Sequence, residues 1–180
     1  MFDLFIQLDQ QIFSAINGLP HTYFSDLFFS FFSGIGSWGL VWIAIGIMLI
    51  VWEELKDKRE LLTLFLGVVL SLVSVELILK NLIERPRPEF TATATVVGVG
   101  LSNSFSFPSS HATIAFASAY ILSVKHRKLR VFYYLLAFLI SFSRIYLGKH
   151  FPSDIVVGAF LGILIGFLSL KITPKLINKL

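Results

Sequence analysis

The sequence predicts an all-α integral membrane protein, a bundle of five transmembrane helices preceded by N-terminal helices that are interfacial or partly inserted. The 180 residues are 56% hydrophobic and 14% charged, whereas soluble domains are about 45–50% apolar and about 25% charged. The mean hydropathy is +0.80. Apolar stretches of spanning length, about 17–25 residues, alternate with short charged turns. These observations also predict a single membrane-embedded domain, 1–180.

The N-terminal region, 1–34, differs from the rest because polar residues interrupt its apolar pattern. Residues 2–17 repeat apolar groups at helical spacing but include Asp3 and Asp9, which is typical of a helix lying in the interface. Residues 22–33 are rich in Phe but short, and they contain Asp26. The acidic start without a long apolar run predicts no cleavable signal peptide.

Five apolar stretches follow, and each is interpreted as a span. The second contains Glu76 and should stop near Glu84, because prolines follow in Arg85-Pro86-Arg87-Pro88. Residues 89–107 lack helical periodicity and are interpreted as a polar loop of about 20 residues. The predicted spans are 35–52, 61–84, 108–124, 131–148 and 152–170.

Glycines recur every fourth residue in the last predicted span, at Gly158, Gly162 and Gly166. Small residues at this spacing allow close helix packing. We expect packing within the chain rather than dimerisation, and the sequence does not indicate an oligomeric state. The chain has no cysteine, which excludes disulfides and thiolate metal sites.

The basic residues set a predicted orientation. Ten of the 15 Lys and Arg lie in the 53–60 turn, the 125–130 turn and the tail, and the positive-inside tendency makes that side cytoplasmic. The protein is therefore expected to be a multi-pass protein of the cytoplasmic (inner) membrane. The net charge of +4 does not indicate a nucleic acid partner, because the placement of the charges matters more than their sum. The other five cations fall at outer ends of spans, where anion binding is the simplest reason for them: Lys80, Arg85, Arg87, Arg144 and Lys149.

Counting spans brings three polar segments to one membrane face. Arg87 and Arg144 can each donate to two oxygens of a phosphate group, and Lys80 adds a point charge. Developing charge on a phosphate ester requires fixed donors of this kind. A phosphate-cleaving site at the outer or periplasmic face is therefore predicted.

The third predicted span begins with Pro108, Ser109, Ser110 and His111. Pro108 is expected in the first helical turn. The amides of Ser109, Ser110 and His111 would then lie at a helix N-terminus, where phosphate is favoured.

Two histidines supply the chemistry. One can attack phosphorus and form a phosphohistidine, while the other protonates the leaving oxygen. Asp154 follows His150 by four residues, so a turn could bring its carboxylate to the imidazole and fix the tautomer. We therefore predict His150 as the nucleophile, His111 as the acid and Asp154 as the partner of His150.

The three segments resemble the signature motifs of the type 2 phosphatidic acid phosphatase superfamily. They read KNLIERPRP, PSSH and SRIYLGKHFPSD, and the resemblance covers about 60–170, the expected catalytic core. It implies phosphate binding by Lys80, Arg87 and Arg144, with help from Ser109 and the amide of Ser110, and catalysis without a metal or other cofactor. Ser110 departs from the usual P-S-G-H, which could alter the pocket. The short chain is most like the small bacterial undecaprenyl-diphosphate phosphatases, so a cell-envelope lipid diphosphate is the expected substrate.

Several alternatives remain open from sequence. Phosphatidate, phosphatidylglycerol phosphate and lipid A are other candidate substrates, and a lipid phosphotransferase would use the same residues. A metal hydrolase could take His111, His150 and Asp154 as ligands, although the nearby cations disfavour it. A non-enzymatic lipid-phosphate transporter would be expected to show inverted repeats, and none is evident.

Other ionisable residues receive structural interpretations. Arg85 is expected at the surface or in contact with lipid headgroups. Glu76 is expected to be a buried acceptor or the partner of a neighbouring helix. His21 and His126 are expected to be structural or interfacial.

Overall fold

The computed structural model describes residues 2–51, 59–91, 94–98 and 104–177. Within these ranges the regular structure is entirely helical, as the sequence predicts. Most of the charged 53–60 turn, the far end of the tail and parts of the 89–107 loop lie outside the described residues. The helices are α1 (Phe2–Asn17), α2 (Tyr23–Ile35), α3 (Leu40–Val51), α4 (Arg59–Leu72), α5 (Lys80–Ile83), α6 (Pro88–Thr91), α7 (Ser110–Lys125), α8 (Arg130–Tyr146) and α9 (Pro152–Ile177).

Helix α7 is the centre of the bundle and packs against α4, α8 and α9. Eleven of its 16 residues are buried. The glycine face of α9 lies against it so closely that a Cβ built on Gly162 would be 2.3 Å from the carbonyl oxygen of Thr113. Gly158 and Gly166 approach the α7 backbone in the same way. The predicted packing within the chain is therefore confirmed.

The spans agree with the prediction in part. Three helical stretches are long and apolar enough to cross a membrane, namely Arg59–Phe90, Arg127–Tyr146 and Pro152–Pro174. Helix α2 and the segment Ser37–Leu49 meet at a 52° bend and make a fourth if they form one span. With 16 residues, α7 is about 24 Å long, shorter than the ~30 Å hydrocarbon core. The chain is an integral membrane protein, and the count of five spans stays a prediction.

The two helix ends that border the site differ in how well they were predicted. Helix α5 ends at Ile83, followed by Glu84 in the left-handed conformation with φ 50°, which confirms the predicted stop. The prediction for Pro108 is wrong: α7 begins at Ser110 and Ser109 is its N-cap residue. The physical reason is that the amide of Ser109 donates to the Asp154 carbonyl at 3.1 Å, which holds this residue outside the helix.

The N-terminal region is joined to the bundle by buried polar contacts. Asn17, at the end of α1, donates to the carbonyls of Thr95 and Tyr146 at 2.9 and 2.8 Å and accepts from the Thr95 amide at 2.8 Å. Phe13 is buried against Phe151, with ring centroids 5.3 Å apart. Helix α1 is therefore part of the packed structure. Its predicted position in the membrane interface stays a prediction.

Candidate active site

The predicted motifs meet around one cavity of about 260 Å³. Six of the eight predicted site residues line it, and the other two, Ser109 and Asp154, lie buried behind the lining. Counting spans therefore placed the three segments together correctly. The lining residues are Ser37, Trp38, Leu72, Glu76, Lys80, Arg87, Ser104, Ser110, His111, Ile114, Arg144 and His150.

Lys80 lies at the end of an unusual stretch of helix. Residues Val73–Leu79 form a π-helical segment between α4 and α5, with Glu76 at its middle. The Lys80 ammonium donates to Glu76 Oε1 at 2.7 Å and to Ser104 Oγ at 3.3 Å. Glu76 Oε1 also accepts from Ser110 Oγ of α7 at 2.6 Å. The interpretation of Glu76 as the partner of a neighbouring helix is confirmed, but its place in the cavity lining was missed.

Arg87 connects the loop before α7 to the turn after α8. Its Nε and Nη2 donate to the carbonyl and hydroxyl oxygens of Ser104 at 2.7 and 3.0 Å. Its Nη1 donates to the Lys149 carbonyl at 2.9 Å and lies 3.3 Å from His150 Nε2. The guanidinium is thus fixed in position beside an imidazole nitrogen.

His150 is held between Arg87 and Asp154. Its Nδ1 lies 3.5 Å from Asp154 Oδ2, and that oxygen accepts from the Phe151 amide at 2.9 Å. Because a guanidinium can only donate, the approach of Arg87 to Nε2 assigns the lone pair to Nε2 and the proton to Nδ1. The 3.5 Å approach of Asp154 to Nδ1 is an ion-pair contact rather than a hydrogen bond. Burial lowers the pKa of His150 well below its ordinary value, and the charges of Arg87 and Arg144 lower it further. A neutral imidazole at neutral pH is the form that can act as a nucleophile.

Arg85 is not a surface or headgroup contact, and this expectation is corrected. Its Nη1 donates to Asp154 Oδ1 at 2.6 Å and to Ser153 Oγ at 2.7 Å, and its Nη2 donates to Asp9 Oδ2 at 2.6 Å. Asp9 in turn accepts from the Ser153 amide at 2.8 Å. A chain of charged groups therefore runs from α1 through Arg85 and Asp154 to His150.

The start of α7 supplies the second imidazole. His111 Nε2 lies 3.4 Å from the hydroxyl of Ser37, at the bend between α2 and α3. Ser109 is fully buried, and its hydroxyl has no hydrogen-bond partner among the described residues. The Ser109 amide is occupied by Asp154, so the amides of Ser110 and His111 are the ones left for an anion at this helix N-terminus.

Arg144 is positioned by α2, which sequence reasoning did not anticipate. Its Nη1 donates to the hydroxyl of Ser33, a residue that is 8% exposed. Its Nε is buried without a partner among the described residues. Arg144 therefore retains one N–H group that can donate to a bound ligand.

Part of the cavity lining is apolar. Trp38, Leu72 and Ile114 contribute it, and Trp38 is 70% exposed with a left-handed φ of 55°. A lining that combines polar donors with apolar side chains suits a ligand that has both a phosphate and a hydrocarbon part.

The metal-hydrolase alternative finds no ligand set in the described part of the chain. No group of three or more His, Asp or Glu residues there is arranged to hold a metal ion. Asp154 instead faces Arg85, and cations surround the two imidazoles.

Comparisons with known proteins agree with this geometry. The sequence model of the PAP2 superfamily matches residues 60–178. A lipid A 4'-phosphatase from Bacteroides thetaiotaomicron is 30% identical, over 100% of this chain and 83% of that protein. Undecaprenyl-diphosphatase BcrC from Bacillus subtilis is 27% identical, over 94% of this chain and 86% of that protein. The crystal structure of a transmembrane PAP2 type phosphatidylglycerolphosphate phosphatase from Bacillus subtilis matches with a TM-score of 0.71 and 26% identity, covering 97% of this chain and 94% of that one.

Proposed function

Because the chain belongs to the PAP2 superfamily of phosphatases, we propose that it hydrolyses a lipid diphosphate, with undecaprenyl diphosphate as the leading candidate and undecaprenyl phosphate plus phosphate as products. One observation carries the proposal: three cations and two imidazoles line a cavity together with the apolar side chains of Trp38, Leu72 and Ile114. The similarity to BcrC over most of both chains supports this choice of lipid.

The geometry supports a two-step mechanism. The Nε2 lone pair of His150 attacks phosphorus, and a nitrogen–phosphorus bond forms as the bond to the leaving oxygen breaks. His111 gives that oxygen its proton. A water molecule, deprotonated by His111, then attacks the phosphohistidine and releases inorganic phosphate together with free His150.

The cations have distinct roles in this proposal. Lys80, Arg87 and Arg144 hold the phosphoryl oxygens and stabilise the charge that moves onto them in the transition state. Ser109 and the amide of Ser110 assist them. No step requires a metal or other cofactor.

The lipid part is expected to leave the cavity past Trp38, Leu72 and Ile114 and to lie between helices in the bilayer. We place the cavity at the outer or periplasmic face of the cytoplasmic membrane, because most of the basic residues lie in the opposite turns and the tail. Residues 60–170 act as the catalytic core of a single unit.

Lipid A is the second candidate substrate. A lipid A 4'-phosphatase aligns with the whole of this chain, and a phosphate monoester fits the same donors. Phosphatidate and phosphatidylglycerol phosphate are the other candidate substrates. Transfer of the phosphate to a second lipid is the alternative reaction.

The test is phosphate release by the purified protein in detergent, with EDTA present. The panel contains undecaprenyl diphosphate, lipid A, phosphatidylglycerol phosphate and phosphatidate. We expect the highest kcat/KM with undecaprenyl diphosphate and no turnover by His150→Ala. His126→Gln is the matched control, because His126 ends α7 about 24 Å from the site and pairs with Glu60 at 3.0 Å. Full turnover by His150→Ala would refute the mechanism, and a preference for another lipid would refute the choice of substrate.

A further inference from the structure

One carboxylate oxygen occupies the Lys80 ammonium, which the motif assigns to phosphate, and the hydroxyl of Ser110, which replaces the glycine of the motif. Oε1 of Glu76 accepts from Lys80 Nζ at 2.7 Å and from Ser110 Oγ at 2.6 Å. A phosphate oxygen bound by the same two groups would have to take nearly the same position. The side chain of Glu76 is 33% exposed and lines the cavity, so it lies within the anion site.

The backbone around Glu76 is independently unusual. It lies at the middle of the seven-residue π-helical segment Val73–Leu79. Such segments are rare and are frequent at functional sites, because the wider turn redirects side chains at a cost in packing. A carboxylate in an apolar stretch is itself costly unless it has a role. Both features concern the same residue.

The charges of the cavity indicate the role. Lys80, Arg87 and Arg144 bring three positive charges, and Glu76 brings one negative charge against Lys80. A bound phosphate dianion and this carboxylate repel each other and compete for the same donors. Without a competing negative charge, these three cations would bind the inorganic phosphate product as tightly as the phosphate group of the substrate.

We propose that Glu76 is an internal competitor of phosphate that promotes product release. In the free enzyme its carboxylate holds Lys80 and Ser110. The phosphoryl group of the substrate displaces it, and after the phosphohistidine is hydrolysed the carboxylate recovers both donors and weakens the hold on inorganic phosphate. The cycle rests on the proposed function, but the weakened affinity for phosphate can be measured without turnover.

Ser110 gives this chain its second contact with the carboxylate. The usual motif has glycine there, and glycine has no hydroxyl to donate to Glu76. Ser110, which departs from P-S-G-H, and Glu76 therefore act as one hydrogen-bonded pair. Ser110 and Glu76 should then be coupled energetically, since residues in direct contact act non-additively.

The experiment measures binding of inorganic phosphate to the purified full-length protein in detergent, from the rise in Tm with phosphate concentration. Glu76→Gln should bind phosphate about tenfold more tightly, because a like charge at contact distance has been removed. Glu76→Asp, whose shorter side chain cannot reach both donors, should bind about threefold more tightly. Glu60→Gln is the matched control, because Glu60 pairs with Lys125 at 3.2 Å and with His126 at 3.0 Å at the far end of α7, and it should leave the affinity unchanged.

Ser110→Gly supplies the coupling test. In the Glu76→Gln background it removes a phosphate donor and should weaken phosphate binding. In the wild-type background it also releases the carboxylate, so the loss should be smaller or reversed. Equal effects in the two backgrounds would contradict the pairing.

The proposal is overturned if Glu76→Gln and Glu76→Asp bind phosphate no more tightly than wild type. Glu76→Asp keeps the charge and carries the test if Glu76→Gln does not fold. Failure of the proposed function has a different signature, namely no phosphate release from any lipid while the phosphate affinities still follow the expected order.

Discussion

Arg85 offers the sharpest test of how His150 is tuned. Replacing Arg85 by Gln removes the cation that lies 2.6 Å from Asp154, while Asp154 stays 3.5 Å from His150 Nδ1. The uncompensated carboxylate then favours the imidazolium form, so the pKa of His150 rises. Protonation removes the nucleophilic lone pair. The acid limb of kcat/KM should therefore move to higher pH.

The magnitude follows from the distances. A charge pair at 3.5 Å is worth about 4–5 kcal/mol at an effective dielectric constant of about 20. If Arg85 masks a third of this, its loss exposes about 1.4 kcal/mol, which is about one pH unit. Burial already lowers the pKa of His150 in the wild-type protein below the ordinary histidine value of 6.5. The acid limb of the wild-type profile should therefore lie below pH 6.5.

Asp9 should act with the opposite sign. Asp9→Asn leaves the charge of Arg85 less balanced, because Arg85 Nη2 donates to Asp9 at 2.6 Å. The extra positive field lowers the pKa of His150 and should move the acid limb down by about half a pH unit. Loss of structure alone would not produce shifts of opposite sign.

The assay is the pH profile of phosphate release from the lipid with the highest turnover, between pH 4 and 8. Arg127→Gln is the matched control, because Arg127 is exposed at the far end of α7, and its profile should equal that of wild type. An acid limb that stays in place in Arg85→Gln, with only KM changed, would refute the charge coupling between Arg85 and His150.

Three further predictions concern packing, the lipid and metals. Gly162→Ala places a Cβ 2.3 Å from the Thr113 oxygen, so it should cost at least about 1 kcal/mol and lower Tm by at least about 3 °C. Gly34→Ala, with no atom within 4 Å of its new Cβ, should keep or raise Tm, because alanine favours a helix more than glycine does; equal Tm values for the two variants would contradict the close packing. Trp38→Ala removes apolar wall from the cavity, and a loss of about 40 Å² of contact, worth about 1 kcal/mol, should raise KM about fivefold for a lipid phosphate but not for a short water-soluble phosphate ester. EDTA should leave kcat unchanged, and a complete loss that zinc reverses would restore the metal-hydrolase alternative.

The site was predictable where local sequence determines it. The motif spacing and the number of helix reversals were enough to bring Lys80, Arg87 and His150 to one end of the bundle, because each lies near a helix end that prolines or charges define. The same is true of the α5 terminus before Glu84. The catalytic roles remain predictions, which the experiments above address.

Contacts across long stretches of sequence were not predictable. Asp9 and Ser33 have the polar character expected on any helix in an interface, and a single sequence does not reveal which cation each one meets. Arg85 and Arg87 stand two residues apart with similar surroundings in the sequence, yet one faces Asp154 and the other faces His150. The sequence marks Glu76 as unusual, but it does not show that its side chain points toward Lys80 and Ser110, because that direction depends on the π-helical segment.

The bonds between the first helices and the site also constrain how the enzyme is made. Asp9 meets Ser153, which is 144 positions later, and Ser33 meets Arg144, which is 111 positions later. At about 5–20 residues per second, Ser153 is synthesised about 7–30 s after Asp9. Arg85, which also donates to Asp9, lies only 76 positions after it, so that ion pair can form before Ser153 has been made. The contacts of α1 with Ser153 and of α2 with Arg144 can therefore form only after α8 and the start of α9 have been made, so the site is completed late in synthesis.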